Sequence, residues 1–143
     1  MITITEIQEF NAGDFRIAQQ WVEILSSQAE TLTESAFRDI IASPCSHLFF
    51  AREGETPAGM LTLGYYTSPT GMKAWIEDVV VAPAFQGRGI GKTLVEHAIR
   101  FAASAGADLL MLTSNPSRVA ANRLYQALQF ERKETNVYRM KLK

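Results

Sequence analysis

From position 79 to 93 the chain reads Val-Val-Val-Ala-Pro-Ala-Phe-Gln-Gly-Arg-Gly-Ile-Gly-Lys-Thr. Three alternate glycines, Gly87, Gly89 and Gly91, follow an apolar β-branched run and open a helical pattern. Glycine admits positive φ and lets a ligand approach the main chain. A helix start adds unpaired N–H groups and a positive dipole end. Together the glycine turn and the helix start predict a site for a phosphate or pyrophosphate. Arg88 and Lys92 add local positive charge to a chain whose formal net charge is −1. Just upstream, Glu77 and Asp78 are adjacent carboxylates, a residue type that moves protons. Adjacent strand residues point to opposite faces, so both reach one cleft only across a β-bulge.

Two common phosphate-binding templates fail here. A P-loop needs glycine at the position of Gln86, five residues before Gly91-Lys92-Thr93. A dinucleotide fingerprint needs a third glycine at Lys92 or at Leu94, depending on register. The run from Gln86 to Gly91 does match Q/R-x-x-G-x-G/A, and Ala121, Leu124, Tyr125 and Phe130 match A-x-x-L-Y…F. On these two motifs the chain resembles the GNAT N-acetyltransferase superfamily over nearly its whole length.

The resemblance implies acetyl-CoA as cosubstrate. Main-chain N–H groups from Gln86 to Gly91, with Lys92 and Thr93, would cradle its diphosphate. The pantetheine arm would run along Val79, Val80 and Val81 as an added strand, and a strand N–H would face the thioester carbonyl. Tyr125 matches the family's general acid. Glu77 is the favoured base, acting directly or through water, with Asp78 as alternate base or amine anchor. The pattern also departs from the family. Thr113 stands where ribosomal-protein N-terminal acetyltransferases carry glutamate. Arg118 replaces a usual asparagine, whose contact Asn115 or Asn122 could supply. Gln129 stands where a left-handed glycine is usual. The implied activity is acetyl transfer to a primary amine on a small molecule. Acetylation of a protein N-terminus or lysine, a catalytically silent acyl-CoA-binding module and a nucleotide-binding enzyme are the alternatives. Many relatives are dimers, which makes a homodimer the assembly to test.

The elements must place these residues. Ile2–Ile7 reads as a strand. Ile17, Trp21, Ile24 and Leu25 form a helical stripe behind Asp14 as N-cap. Phe37, Ile40 and Ile41 mark a second helix with capping-box spacing at Thr31 and Glu34. His47–Arg52 and Ala58–Tyr66 suggest a hairpin. Met72–Val81 is the longest strand, with Val79, Val80 and Val81 covered on both faces. Gly89–Ala105 is a helix closed by Gly106. Leu109–Thr113 is a short buried strand. Asn115 caps a helix to Leu128, with Pro116 at its first position. Phe130–Val137 and Tyr138–Leu142 read as closing strands. The order β-α-α-β-β-β-α-β-α-β-β gives an α/β fold, a mixed and mostly antiparallel sheet flanked by helices. Trp21, Phe37 and Tyr66 are candidates to line an acceptor pocket.

The 143 residues are read as one domain, residues 1–143, long enough for an independent core. Fourteen basic against fifteen acidic residues exclude a general cationic surface for nucleic acid or anionic lipid. The single cysteine, Cys45, reads as a half-buried hydrophobe. With only His47 and His97 beside it, no zinc-type set is expected. No signal peptide or membrane-spanning run is seen, so the expected setting is the cytoplasm.

Overall fold

A computed structural model describes all residues, Met1–Lys143. Backbone contacts divide the chain into two compact units, Met1–Leu112 and Thr113–Lys143. In the first unit the elements run β1 (Ile2–Glu6), α1 (Ala12–Leu25), α2 (Glu34–Ala42), β2 (Ser46–Glu53), β3 (Thr56–Ser68), β4 (Gly71–Val81), a 3-10 turn (Pro83–Phe85), α3 (Ile90–Ser104) and β5 (Leu109–Met111). The five strands pair in sequence order, antiparallel from β1 to β4 and parallel between β4 and β5.

Alternation along the strands builds two buried faces. On one, Leu48, Phe50, Met60 and Val80 pack with Ile7, Ala18, Trp21 and Phe37 from the β1–α1–α2 segment. The rings of Trp21 and Phe50 lie 5.1 Å apart. Truncating a buried ring of this kind to alanine costs about 3–5 kcal/mol. On the other face, Phe49 packs against His97 at 4.6 Å and Phe101 at 5.1 Å, both on α3. Gly59 lies under α3. A Cβ there would stand 2.6 Å from the Val80 carbonyl oxygen and 3.3 Å from Leu94, so only glycine lets the helix start seat on the sheet. A polar chain crosses this face: His47 Nδ1 bonds Glu6 Oε1 at 2.7 Å and His47 Nε2 bonds the Tyr65 hydroxyl at 2.8 Å. Those three residues tie β1, β2 and β3 together, and no sequence pattern announces them.

Several local expectations are corrected. The N-cap of α1 is Asn11, whose side chain accepts from the Asp14 N–H; Asp14 sits in the first turn and pairs with Arg52 at 2.9 Å. Thr33, not Thr31, caps α2. Ile24 and Leu25 are exposed at the end of α1, so the buried stripe is Ala18 and Trp21. Cys45 is exposed. Val80 alone of the valine run is buried, with Val79 and Val81 half-covered. β5 is three residues long and Leu109 is exposed.

In the second unit, α4 spans Val119–Ala127. Asn115 makes a local turn instead of capping it: Asn115 Oδ1 accepts from the Ser117 N–H at 2.9 Å, and Arg118 is the N-cap residue. The two closing strands are absent, so the observed order ends at α4. From Glu131 onward the chain makes no ladder, and Val137, Tyr138, Met140 and Leu142 are exposed. Tyr138, Met140 and Leu142 alternate with Arg139 and Lys141 and supply one apolar face. A strand also needs a partner edge, and the charged run Glu131-Arg132-Lys133-Glu134 disfavours burial of the segment's start. No helix of the chain is long and apolar enough to cross a membrane.

Candidate active site

The glycine turn connects β4 to α3 through the 3-10 turn. Gly87 and Gly89 both adopt φ of +77°, a left-handed conformation that side chains strain to reach. Nothing lies within 4 Å of the Cβ position at either glycine, so the loop is open on that side. The Gln86 N–H donates to the Pro83 carbonyl at 3.4 Å, and the Thr93 N–H to the Gly89 carbonyl at 3.0 Å. Between them, from Gly87 to Lys92, no main-chain N–H donates to a protein acceptor. A run of unpaired donors at the start of a helix is an anion cradle by construction. Thr93 does not extend it, because its hydroxyl also donates to the Gly89 carbonyl, at 3.0 Å. The Gln86 side chain turns back to the Val81 carbonyl at 3.5 Å. Of the two expected cations, Lys92 is exposed and without an acidic partner, whereas Arg88 is paired with Glu53 at 2.6 Å.

The strand leading into this loop is half paired. On one side β3 covers β4 as far as Val81. On the other, β5 meets only Lys73, Ala74 and Trp75. Every second N–H and C=O beyond Trp75 therefore faces an edge that no strand pairs, the geometry that accepts an extended ligand as a further strand. Val79, Val80 and Val81 lie on that edge, and the side chain of Val80 serves the core at the same time.

A bulge joins the two carboxylates. Thr62 stands opposite Glu77 and Met60 opposite Val80, so the β4 strand carries one residue more than β3 across this interval. Asp78 takes up the excess with φ of +52°. The extra residue breaks the alternation that would otherwise send Glu77 and Asp78 to opposite faces, and both side chains are exposed. Removal from bulk water raises the Glu77 carboxyl above its ordinary value, and the neighbouring Asp78 charge raises it further. Burial of its surroundings raises Asp78 likewise. Two elevated carboxyls side by side suit proton abstraction better than ordinary surface acids do.

In the second unit Tyr125 is buried on α4. Burial raises its phenol above the ordinary value, against a smaller lowering by the Arg118 charge, so it holds its proton at neutral pH. Its ring meets Phe130 at 6.0 Å. Asn122 Nδ2 donates to the Asn115 carbonyl at 2.9 Å and to the Arg118 carbonyl at 2.8 Å, bracing the segment before the helix.

A family model described as acetyltransferase (GNAT) family matches residues 15–130. The chain belongs to the GNAT acetyltransferase family. A curated relative, the N-alpha-acetyltransferase RimI of Mycobacterium tuberculosis, is 32% identical over 98 residues, covering 68% of this chain and 60% of that protein. The chain thus spans less than two thirds of that relative. A solved structure from Agrobacterium tumefaciens described as an acetyltransferase superposes with a TM-score of 0.85 at 26% identity, over 97% of this chain and 99% of that one. AAC(6')-Iy in complex with a bisubstrate analogue of CoA superposes with a TM-score of 0.79 at 18% identity, over 99% and 98%, a likeness of fold.

Within this GNAT chain the aromatic candidates for an acceptor pocket separate. Trp21 and Phe37 are core, at 4% and 0% exposure, and only Tyr66 reaches solvent. Helical spacing had no means of distinguishing a pocket wall from a core stripe. Sequence reasoning missed Glu53, which lies 35 positions from Arg88 and meets it only because the β2–β3 turn comes beside the loop.

Proposed function

We propose that this protein transfers an acetyl group from acetyl-CoA to a primary amine on a small molecule. The run of unpaired N–H groups from Gly87 to Lys92, beside the open edge of β4, carries the reading. Gly87, Arg88, Gly89, Ile90, Gly91 and Lys92 hold the diphosphate. Val79, Val80 and Val81 take the pantetheine arm, and one of their N–H groups faces the thioester oxygen. An oxyanion donor of this type is commonly worth about 3–4 kcal/mol. Asn115 and Asn122 shape the segment ahead of α4 and contact the arm.

The cosubstrate supplies an activated thioester, and the protein supplies proton management. Glu77, directly or through water, takes a proton from the acceptor ammonium, with Asp78 as alternate base or as anchor for the positive charge. The freed nitrogen attacks the carbonyl carbon, a C–N bond replaces the C–S bond, the departing sulfur receives a proton from Tyr125, and the second proton shed by the acylated nitrogen restores the phenol. A free thiol of pKa about 8.5 leaves more readily when so assisted.

The likeness to an N-alpha-acetyltransferase supports a second reading, acetylation of a protein N-terminus. A panel of amines and peptides with acetyl-CoA and thiol detection tests both. Thiol release with small amines supports the first, release with peptides alone replaces it by the second, and tight CoA binding without release for any acceptor leaves a binding module.

A further inference from the structure

Arg88 lies between the two left-handed glycines, and its side chain is already engaged. Its Nη2 donates to Glu53 Oε1 at 2.6 Å, and its guanidinium carbon lies 5.0 Å from the centre of the Phe85 ring. Glu53 is the last residue of β2, and no other carboxylate pairs with this guanidinium. One of the loop's two cations is thus held by an anion of the protein itself. Resting on the reading of the loop as a diphosphate site, we propose that Glu53 is a built-in competitor for the cosubstrate's phosphates, an internal stand-in anion that ligand must displace to gain Arg88.

The physical grounds are charge and exposure. The hydrogen bond from Arg88 stabilises the ionised form of Glu53, so the carboxylate stays charged across the physiological range. Both side chains are partly exposed, 48% for Arg88 and 38% for Glu53, which leaves the pair weak enough to exchange. Exchange of one anion for another at a guanidinium leaves the total pairing unchanged. CoA binding by the wild type should therefore respond less steeply to salt than binding to an unpaired Arg88 would. Glu53 also adds negative charge beside the loop, which opposes any phosphate there.

Calorimetric titration with CoA at low and high salt tests this in wild type, Glu53→Gln, Arg88→Ala and the double variant. Glu53→Gln keeps the shape and an acceptor oxygen while removing the charge. It should lower the Kd about two- to five-fold, the range of an exposed ion pair, and steepen the salt dependence. Arg88→Ala should weaken binding, and adding Glu53→Gln to it should change little, since the competition then has no object. Unchanged or weaker binding by Glu53→Gln, or an equal gain in the Arg88→Ala background, overturns the competitor role alone. A wild type that binds no CoA overturns the loop reading, and this role falls with it.

Discussion

Tyr125 and Phe130 meet edge to face, with ring planes 71° apart, across the end of α4. The contact is produced by the helix stop. The Phe130 N–H donates to the Tyr125 carbonyl and the Gln129 N–H to the Gln126 carbonyl, both at 3.0 Å, and Gln129 takes φ of +73°. The end of α3 repeats the pattern, with Gly106 at φ of +89° in the equivalent place and the Ala107 N–H on the Ala102 carbonyl. The motif wants glycine, and α4 supplies glutamine.

Gln129→Gly should therefore stabilise the protein. Relief of the left-handed strain is worth about 1 kcal/mol, less what glycine loses in unfolded-state entropy. A thermal scan should show a rise of a few degrees, roughly 2–4 °C per kcal/mol at this chain length. Gln129→Val, β-branched and intolerant of positive φ, should move Tm the other way.

The bulge makes Glu77 and Asp78 electrically dependent. If Glu77 is the base, it works deprotonated, so activity is lost as pH falls through its pKa. That pKa stands above the ordinary carboxylate value, first through desolvation and then through the Asp78 charge. Asp78→Asn removes the neighbouring charge and lowers the Glu77 pKa, which moves the acid limb of kcat/KM to lower pH. Asparagine also tolerates the φ of +52°, so the strand should keep its course. Glu77→Gln should reduce kcat by about 10²–10⁴-fold and abolish that limb. A pH–rate profile of the three proteins decides, and a limb that stays in place in Asp78→Asn refutes the coupling.

The same carboxylates bear on stability. Both pKa values are raised by folding, so the native state binds protons more tightly than the unfolded chain and stability falls as pH rises through the elevated values. Glu77→Gln combined with Asp78→Asn should raise Tm relative to wild type at neutral pH, and the gain should shrink in acid, below the unfolded-state values. A constant gain across pH would assign the effect to packing.

The order of elements through α3 was legible because hydrophobic period and turn residues agree there. Gly106 at the end of α3 follows from local rules, whereas the bulge at Glu77 and Asp78 was only a condition for both carboxylates to share a face, because strand pairing and not local sequence decides where a ladder shifts register. Caps were legible only as types: Asn11 and Thr33 won over Asp14 and Thr31, three and two positions away, because the geometry of the first turn decides between neighbouring acceptors. The glycine loop could be located from spacing, yet the pairing of Arg88 with Glu53 joins segments that no local pattern connects. The chain beyond Phe130 carries strand alternation without a ladder, since pairing depends on an edge that the segment's own residues do not specify.

Gly89 separates backbone conformation from ligand contact. At φ of +77° alanine is strained by about 1–2 kcal/mol, while the empty surroundings impose no clash. Gly89→Ala should lower Tm and weaken CoA binding together. Gly89→Asn tolerates the same φ, so it should fold near wild-type stability, yet it adds a side chain to the loop proposed to hold the diphosphate. A Kd for CoA raised at least tenfold in Gly89→Asn, with Tm little changed, is the expected result by calorimetry. Wild-type affinity in that variant would move the diphosphate elsewhere.

Tyr125→Phe isolates the proposed proton donor, because phenylalanine keeps the ring contact with Phe130 and loses only the hydroxyl. Stability and the Kd for CoA should stay at wild-type values. The phenol is raised above its ordinary value by burial, so it is protonated at neutral pH and able to give a proton to departing sulfur. Removing it should lower kcat by about 10²-fold, the smaller end of general acid catalysis. The deficit should narrow with an acyl donor whose thiol is more acidic, since such a sulfur leaves without a proton. Stopped thiol-release assays with CoA and aryl thioesters measure that difference. Full kcat in Tyr125→Phe, or an equal deficit for both donors, would remove the phenol from the reaction.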